Sequence, residues 1–178
     1  MANTYCAAVR NGIDEWNKLY HDTEYGFPLA TDNELFERLI LEINQAGLSW
    51  LTILKKREAF TRAYDRFDLA KVAAYGEEDR ARLMADAGII RNRLKVNAAI
   101  ENARRIQGMG GFQDWLEERR GLALDAWMKE FKKTFVFTGG EIVREFLVST
   151  GYLPGAHDED CPVYRKLNAT PGRKRAPR

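Results

Sequence analysis

Histidine and cysteine are scarce in this chain: only two of each occur in 178 residues. If both histidines are engaged elsewhere, a Ser–His–Asp or Cys–His nucleophile system has no imidazole left to use. No Walker loop or dinucleotide fingerprint occurs either, which removes the usual nucleotide-cofactor readings. No apolar run approaches the roughly 20 residues needed to span a bilayer. The opening stretch, MANTYCAAVRNG, lacks the charged-then-apolar layout of a secretory signal. A cytoplasmic chain without a membrane partner is therefore expected, and there a disulfide would not persist. Strand alternation is missing as well, so the fold class reads as all-α.

What is present suits one compact domain, because 45% hydrophobic content is ample for a core. The net charge of +2 is unevenly divided. Arg165, Lys166, Arg173, Lys174, Arg175 and Arg178 give residues 162–178 a charge of +6 with no acid, which leaves −4 on residues 1–161. The expected division is a single domain over 1–161, built from two helical lobes, and a basic, flexible tail over 162–178. Such a tail either touches phosphate or is simply solvated.

Apolar periodicity predicts many short helices. The first covers 14–22, followed by a turn at 23–30 that Gly26 and Pro28 interrupt. Thr31 and Glu34 form a capping box for a helix running to about Ala46 and ended by Gly47. Ser49 caps the next helix. Shorter helices follow over 68–75 and 77–87, then a long one over 91–107. Glycines 108, 110 and 111 make a hinge before helices at 112–119 and 124–132. Gly139 and Gly140 open a last helix, closed by Gly151.

The two cysteines and two histidines fall into terminal pairs, Cys6 with His21 and His157 with Cys161. Two thiolates and two imidazoles suit a closed tetrahedral Zn²⁺ site, and His157-x-x-x-Cys161 has the spacing of one half of such a site. The other reading is four unrelated residues with small buried thiols. Zinc would join both ends of the chain and, with four protein ligands, would be structural.

One residue breaks the apolar stripe of the helix after Thr31. Leu35, Leu39, Glu42 and Ala46 share a face, and a carboxylate there is costly to bury unless paired or protonated. Either Glu42 reaches water or an arginine at the edge of the stripe, or it is a desolvated acid lining a pocket. Trp50 lies just downstream, and Tyr20 and Tyr25 flank His21. Aromatic walls with one acid make a receptacle for a flat, cationic heterocycle. For phosphate, the basic pair Lys132-Lys133 precedes the turn Thr138-Gly139-Gly140 that opens a helix, and a second donor-rich turn runs from Ala87 to Lys95.

The stretches YHDTEYGFPLATDNELFERLILEINQAGLSWLTILKKREAF (20–60), DAGIIRNRLKVNAAIENAR (86–104) and GYLPGAHDEDC (151–161) resemble the 3-methyladenine DNA glycosylase I family. The resemblance covers about 1–161 and is strongest over 20–104. It implies a helix-hairpin-helix glycosylase fold with its terminal segments joined by zinc on Cys6, His21, His157 and Cys161. It also implies that Glu42 reads the damaged base, that Tyr20 and Trp50 line the base pocket, and that Thr138, Gly139 and Gly140 grip the DNA backbone; Tyr25 joins the expected base-binding aromatics from its place beside His21.

The activity implied is a monofunctional, base-flipping N-glycosylase that excises 3-methyladenine from double-stranded DNA in base excision repair. A monomer is expected. The alternatives are a non-catalytic DNA-binding relative of the same fold and a zinc-stapled interaction domain. Two departures stand out. Ala8 occupies a position where the family commonly has tryptophan, so that Trp16 refills the space or the pocket is wider. Glu141 follows the hairpin glycines, where an acid opposes phosphate.

Overall fold

The computed structural model describes residues 4–169, and every regular element among them is helical. In chain order these are α1 (Tyr5–Arg10), α2 (Glu15–Thr23), α3 (Asp32–Gln45), α4 (Trp50–Ala63), α5 (Leu69–Ala73), α6 (Glu77–Ala85), α7 (Arg93–Met109), α8 (Phe112–Glu117), α9 (Leu124–Thr134), α10 (Gly140–Ser149) and α11 (Pro162–Ala169). No described helix is long and apolar enough to cross a membrane.

Caps set most of the boundaries. Thr31 Oγ1 accepts from the Glu34 amide while the Glu34 carboxylate takes the Thr31 amide, the reciprocal box expected at the start of α3. Asp14, Ser49 and Asp68 cap α2, α4 and α5 with the side chain alone, each accepting from a first-turn amide. The long helix begins at Arg93 and not at Arg91, because the Asn92 side chain accepts from the amides of Leu94 and Lys95. Gly47, with φ of +81°, ends α3 in the left-handed region that a side chain disfavours.

Helix α3 runs through the centre of the molecule. Leu35, Phe36, Leu39, Ile40 and Ile43 are completely buried, and the helix packs against α4, α7, α8 and α10. A helix buried on nearly every side has no solvated face for its polar residues, so Arg38, Glu42 and Asn44 are buried with it. The buried Lys95 amine crosses from α7 to donate to the carbonyls of Asn44 and Ala46 at 2.8 and 2.7 Å, capping the C-terminus of α3.

Around α8, α9 and α10 an aromatic cluster fills the second half of the core, with Phe112 stacked on Phe146 at 5.6 Å between centroids. The turn between α9 and α10 is tied to α7: Asn102 donates to the Val136 carbonyl and accepts from its amide. Arg105 donates to the Thr134 carbonyl. Gly140 begins α10 where a Cβ would stand 2.5 Å from the Met128 methyl, so a larger residue there would oblige that flexible side chain to move.

The chain ends differ from the sequence expectation. Residues 5–10, assigned no element, form α1, whose Cys6 is buried. Residues 162–169, read as the start of a flexible tail, form α11, which buries Val163 and Leu167 against Cys6 and Cys161. Apolar residues four apart bring one face of a helix inward whatever the charge of its other side. The remainder of the expected tail, 170–178, lies outside the described residues. Thr4 donates to Asp158, and Arg10 pairs with Asp158 and Asp160, so the two ends also meet through polar contacts. Leu167→Ala is expected to lower stability by about 2 kcal/mol in urea unfolding, as for a buried leucine; an unchanged midpoint would contradict the docking of α11.

Candidate active site

Two constellations meet at the junction of α1, α2 and the segment before α11. The first is the cysteine–histidine quartet. Cys6, His21, His157 and Cys161 are all buried, and one ligand atom from each lies within 4.8 Å of the others. His21 Nε2 is 3.2 Å from Cys6 Sγ and 3.2 Å from His157 Nδ1. Cys161 Sγ lies 3.9 Å from both imidazole nitrogens. The outward ring nitrogens are also engaged: His21 Nδ1 with Asp22 Oδ1 at 2.8 Å, and His157 Nε2 with the Tyr25 carbonyl at 2.7 Å. Gly26 permits the approach, since a Cβ there would stand 2.6 Å from that of Ala156.

The second constellation is a cavity of about 500 Å³ bordered by Tyr5, Tyr20, Tyr25 and Trp50, with Glu42 and Glu145 as its acids on α3 and α10. The rings of Tyr20 and Trp50 stand 5.1 Å apart at 56°, and those of Tyr20 and Tyr25 5.8 Å apart. Sequence reasoning had grouped Glu42, Tyr20, Tyr25 and Trp50, and the fold brings all four to one cavity. The buried indole Nε1 of Trp50 has no hydrogen-bond partner among the described residues.

Glu42 is only 4% exposed. It makes no ion pair among the described residues; Ser149 Oγ approaches its Oε1 at 3.5 Å. Other acids at or behind the cavity have arginine partners: Glu24 with Arg38 and Arg57, Glu37 with Arg57, Glu145 with Arg144, and Asp158 with Arg10. Burial therefore pushes the Glu42 carboxyl up to about 8, against the opposing pull of Arg38 and with a further push from Glu145. An ionised Glu42 leaves the pocket one positive charge short.

Arg38, Tyr5, Arg144 and Glu145 were missed from sequence. Arg38 carried a signal, since it precedes Glu42 by four residues and shares its helix face. Tyr5 and Glu145 reach the cavity only through tertiary packing. Trp16, offered as a replacement for the family's tryptophan, does not enter the cavity; it is 50% exposed and borders a different groove with Leu19, Leu54 and Arg57. Thr138, Gly139 and Gly140 stand apart from the cavity but on its helix: Glu145 follows Gly140 by five residues, about 7–8 Å along the axis. Thr138 Oγ1 donates to the Phe131 carbonyl, and Glu141 is exposed in the first turn of α10.

A buried acid lacking a counter-charge and facing aromatic rings is an arrangement that can receive a flat, positively charged nitrogen heterocycle. The chain belongs to the methyladenine glycosylase family, which it matches over residues 10–122. DNA-3-methyladenine glycosylase 1 of Escherichia coli (strain K12) is 55% identical over 85 residues, which is 48% of this chain and about half (46%) of that enzyme. DNA-3-methyladenine glycosylase of Haemophilus influenzae is 34% identical over 168 residues, covering 80% of this chain and 89% of that one. A solved structure of 3-methyladenine DNA glycosylase I, a tyrosine-to-phenylalanine variant in complex with 3-methyladenine, superposes with a TM-score of 0.76 at 32% identity, covering 86% of this chain and 95% of that chain.

The raised Glu42 carboxyl has a consequence for stability. The folded chain keeps this proton up to about pH 8, while the unfolded chain releases it near 4.5. Stability from this group is thus fully present below about 4.5 and is lost as pH rises through about 8, at about 1.4 kcal/mol per pH unit. Glu42→Gln is expected to match the parent near pH 4 and to exceed it by a few kcal/mol at pH 8, measured by denaturant unfolding across pH. Parallel curves for the two proteins would contradict the burial of an unpaired acid.

Proposed function

We propose that this chain is a monofunctional DNA N-glycosylase that excises 3-methyladenine from duplex DNA during base excision repair. The observation that carries the reading is Glu42, buried without an ion-pair partner among the described residues on the wall of an aromatic cavity. Family membership and the relative bound to 3-methyladenine support it.

Methylation at N3 makes adenine cationic while it remains attached to the sugar, so the base supplies the positive charge that the cavity lacks. A damaged base also unstacks cheaply, which favours its extrusion into a pocket. Tyr20, Tyr25 and Trp50 would stabilise the cationic ring, each face by about 0.5–2 kcal/mol. Glu42 would accept from the ring's N–H groups and balance its charge. When the C1′–N9 bond breaks, its electron pair neutralises the base. Water then adds at C1′ and gives up a proton to solvent. Among the described residues no lysine lines the cavity, which fits hydrolysis without a Schiff base.

The turn at Thr138–Gly140 reads as the hairpin of a helix-hairpin-helix motif. Lys132 and Lys133 are exposed just before it, and the first amides of α10 are suited to a backbone phosphate. Glu141 weakens that grip, so moderate affinity is expected of this surface.

The quartet fits a structural Zn²⁺ held by Cys6, His21, His157 and Cys161. Tetrahedral zinc with sulfur and nitrogen donors requires separations of about 3.3 Å between nitrogens and about 3.6 Å between sulfur and nitrogen. The corresponding distances here run from 3.2 to 3.9 Å. Asp22 and the Tyr25 carbonyl orient the imidazoles, as second partners of metal-bound histidines do. The ion would supply cross-linking of the chain ends and no catalytic chemistry.

Incubation with methylated duplex DNA should release free 3-methyladenine, seen by chromatography, and Glu42→Gln should slow single-turnover release by about tenfold or more. Absence of any methylated base at high enzyme concentration would refute the reading. Metal analysis should give one zinc per chain, and removal by a strong chelator should lower Tm by several degrees. A metal-free protein with unchanged Tm would refute the clip.

A further inference from the structure

Arg38 is a buried side chain that touches several walls of the cavity without lining it. Its guanidinium is 2% exposed, and Nη1 donates to the Tyr20 hydroxyl at 2.7 Å and to the Ser149 carbonyl at 3.4 Å. Nη2 donates to Glu24 Oε2 at 3.3 Å, and the guanidinium carbon lies 4.9 Å from the Tyr20 ring centroid. Ser149 is in turn the residue whose hydroxyl approaches Glu42. One planar cation therefore joins the aromatic wall on α2, the neighbour of the acid on α10 and its own helix, α3.

Burying a guanidinium is costly unless its donors are satisfied, and a hydrophobic residue of similar length would fill the same space more cheaply. Arg38 is not needed to neutralise Glu24, because Arg57 holds both oxygens of that carboxylate at 2.7 and 2.8 Å. Nor does the Ser149 carbonyl depend on it, since the Gly26 amide donates there at 2.8 Å. What depends on Arg38 is the orientation of Tyr20, whose buried hydroxyl has no other partner among the described residues, and the fixed positive charge four residues from Glu42.

We propose that Arg38 is a positioning residue for base recognition, which pins Tyr20 so that the aromatic wall keeps one fixed geometry beside Glu42. This rests on the glycosylase reading above and adds to it a residue that never touches the substrate. Two effects are separable. Fixing Tyr20 needs the planar, two-pronged donor, whereas influencing the ionisation of Glu42 needs only a cation. Lysine keeps the second and loses much of the first. The groups facing Glu42 are Arg38 on its own helix, Tyr20, Tyr25 and Trp50 around the cavity, and Glu145 and Ser149 on α10. Arg144, paired with Glu145, completes the charged set.

The test compares Arg38→Met, Arg38→Lys, Tyr20→Phe and the Met/Phe double variant. The readouts are calorimetric binding of free 3-methyladenine and single-turnover base release from methylated duplex across pH. Arg38→Met should weaken binding and slow release by about tenfold, while in the Tyr20→Phe background the same change should cost about twofold or less. Arg38→Met should also move the pH limb set by Glu42 upward, and Arg38→Lys should restore that limb but not the rate. Thermal unfolding controls for folding, and the double variant should be more stable than Arg38→Met because it removes the stranded hydroxyl. Binding and release within twofold of the parent in Arg38→Met would overturn the proposal. So would an equal loss in both backgrounds with no shift of the limb. A parent protein that neither binds nor releases 3-methyladenine would instead overturn the glycosylase reading, and this proposal with it.

Discussion

A carboxyl group held out of water without a counter-ion is the constraint on which the rest of the structure turns. Such burial disfavours the charged form, and a chain tolerates it only where something else gains. Here the acid sits on the most buried helix of the molecule, and the other acids close to it have been matched with arginines. The imbalance is confined to one site, and that site has aromatic walls. A positively charged planar ring corrects the charge and fills the space, whereas a neutral ring does only the latter. On the proposed reading, selectivity for a cationic base would follow from this unpaired acid.

The quartet and the cavity share backbone. Tyr5 and Tyr20 face the cavity while the next residue of each, Cys6 and His21, faces the quartet. Tyr25 repeats the pattern within one residue: its ring borders the cavity and its carbonyl accepts from His157. Successive residues of a helix point about 100° apart, so two short helices can serve both sites at once. The proposed ion would thereby hold three walls of the pocket in register. Short helices such as α1 are marginal alone, and docking against α2 and α11 gives them definition.

Much of this was legible in the sequence because it depends on local rules. The capping box at Thr31 and Glu34, the serine cap at Ser49 and the glycine stop at Gly47 are written in consecutive residues, and Glu42 was conspicuous as an acid on an apolar stripe. The quartet could be found by counting. What escaped notice depends on distant partners. Arg38 shares the face of Glu42, but its partners Tyr20, Glu24 and Ser149 come from other segments and could not be read from its own helix. Helix α11 was overlooked because the charge of the terminal segment was given more weight than Val163 and Leu167, which are spaced four residues apart. Of the two alternatives offered for the space left by Ala8, refilling by Trp16 fails because its position on α2 turns it to solvent.

The most direct measurement is an isotope-edited infrared titration of the Glu42 carboxyl, with Glu42→Gln identifying its band. The account predicts a protonated carboxyl in the empty pocket at neutral pH, titrating near 8, which converts to carboxylate when DNA carrying N3-methylated adenine is bound. A band that is already carboxylate at pH 6 in the free protein would contradict it.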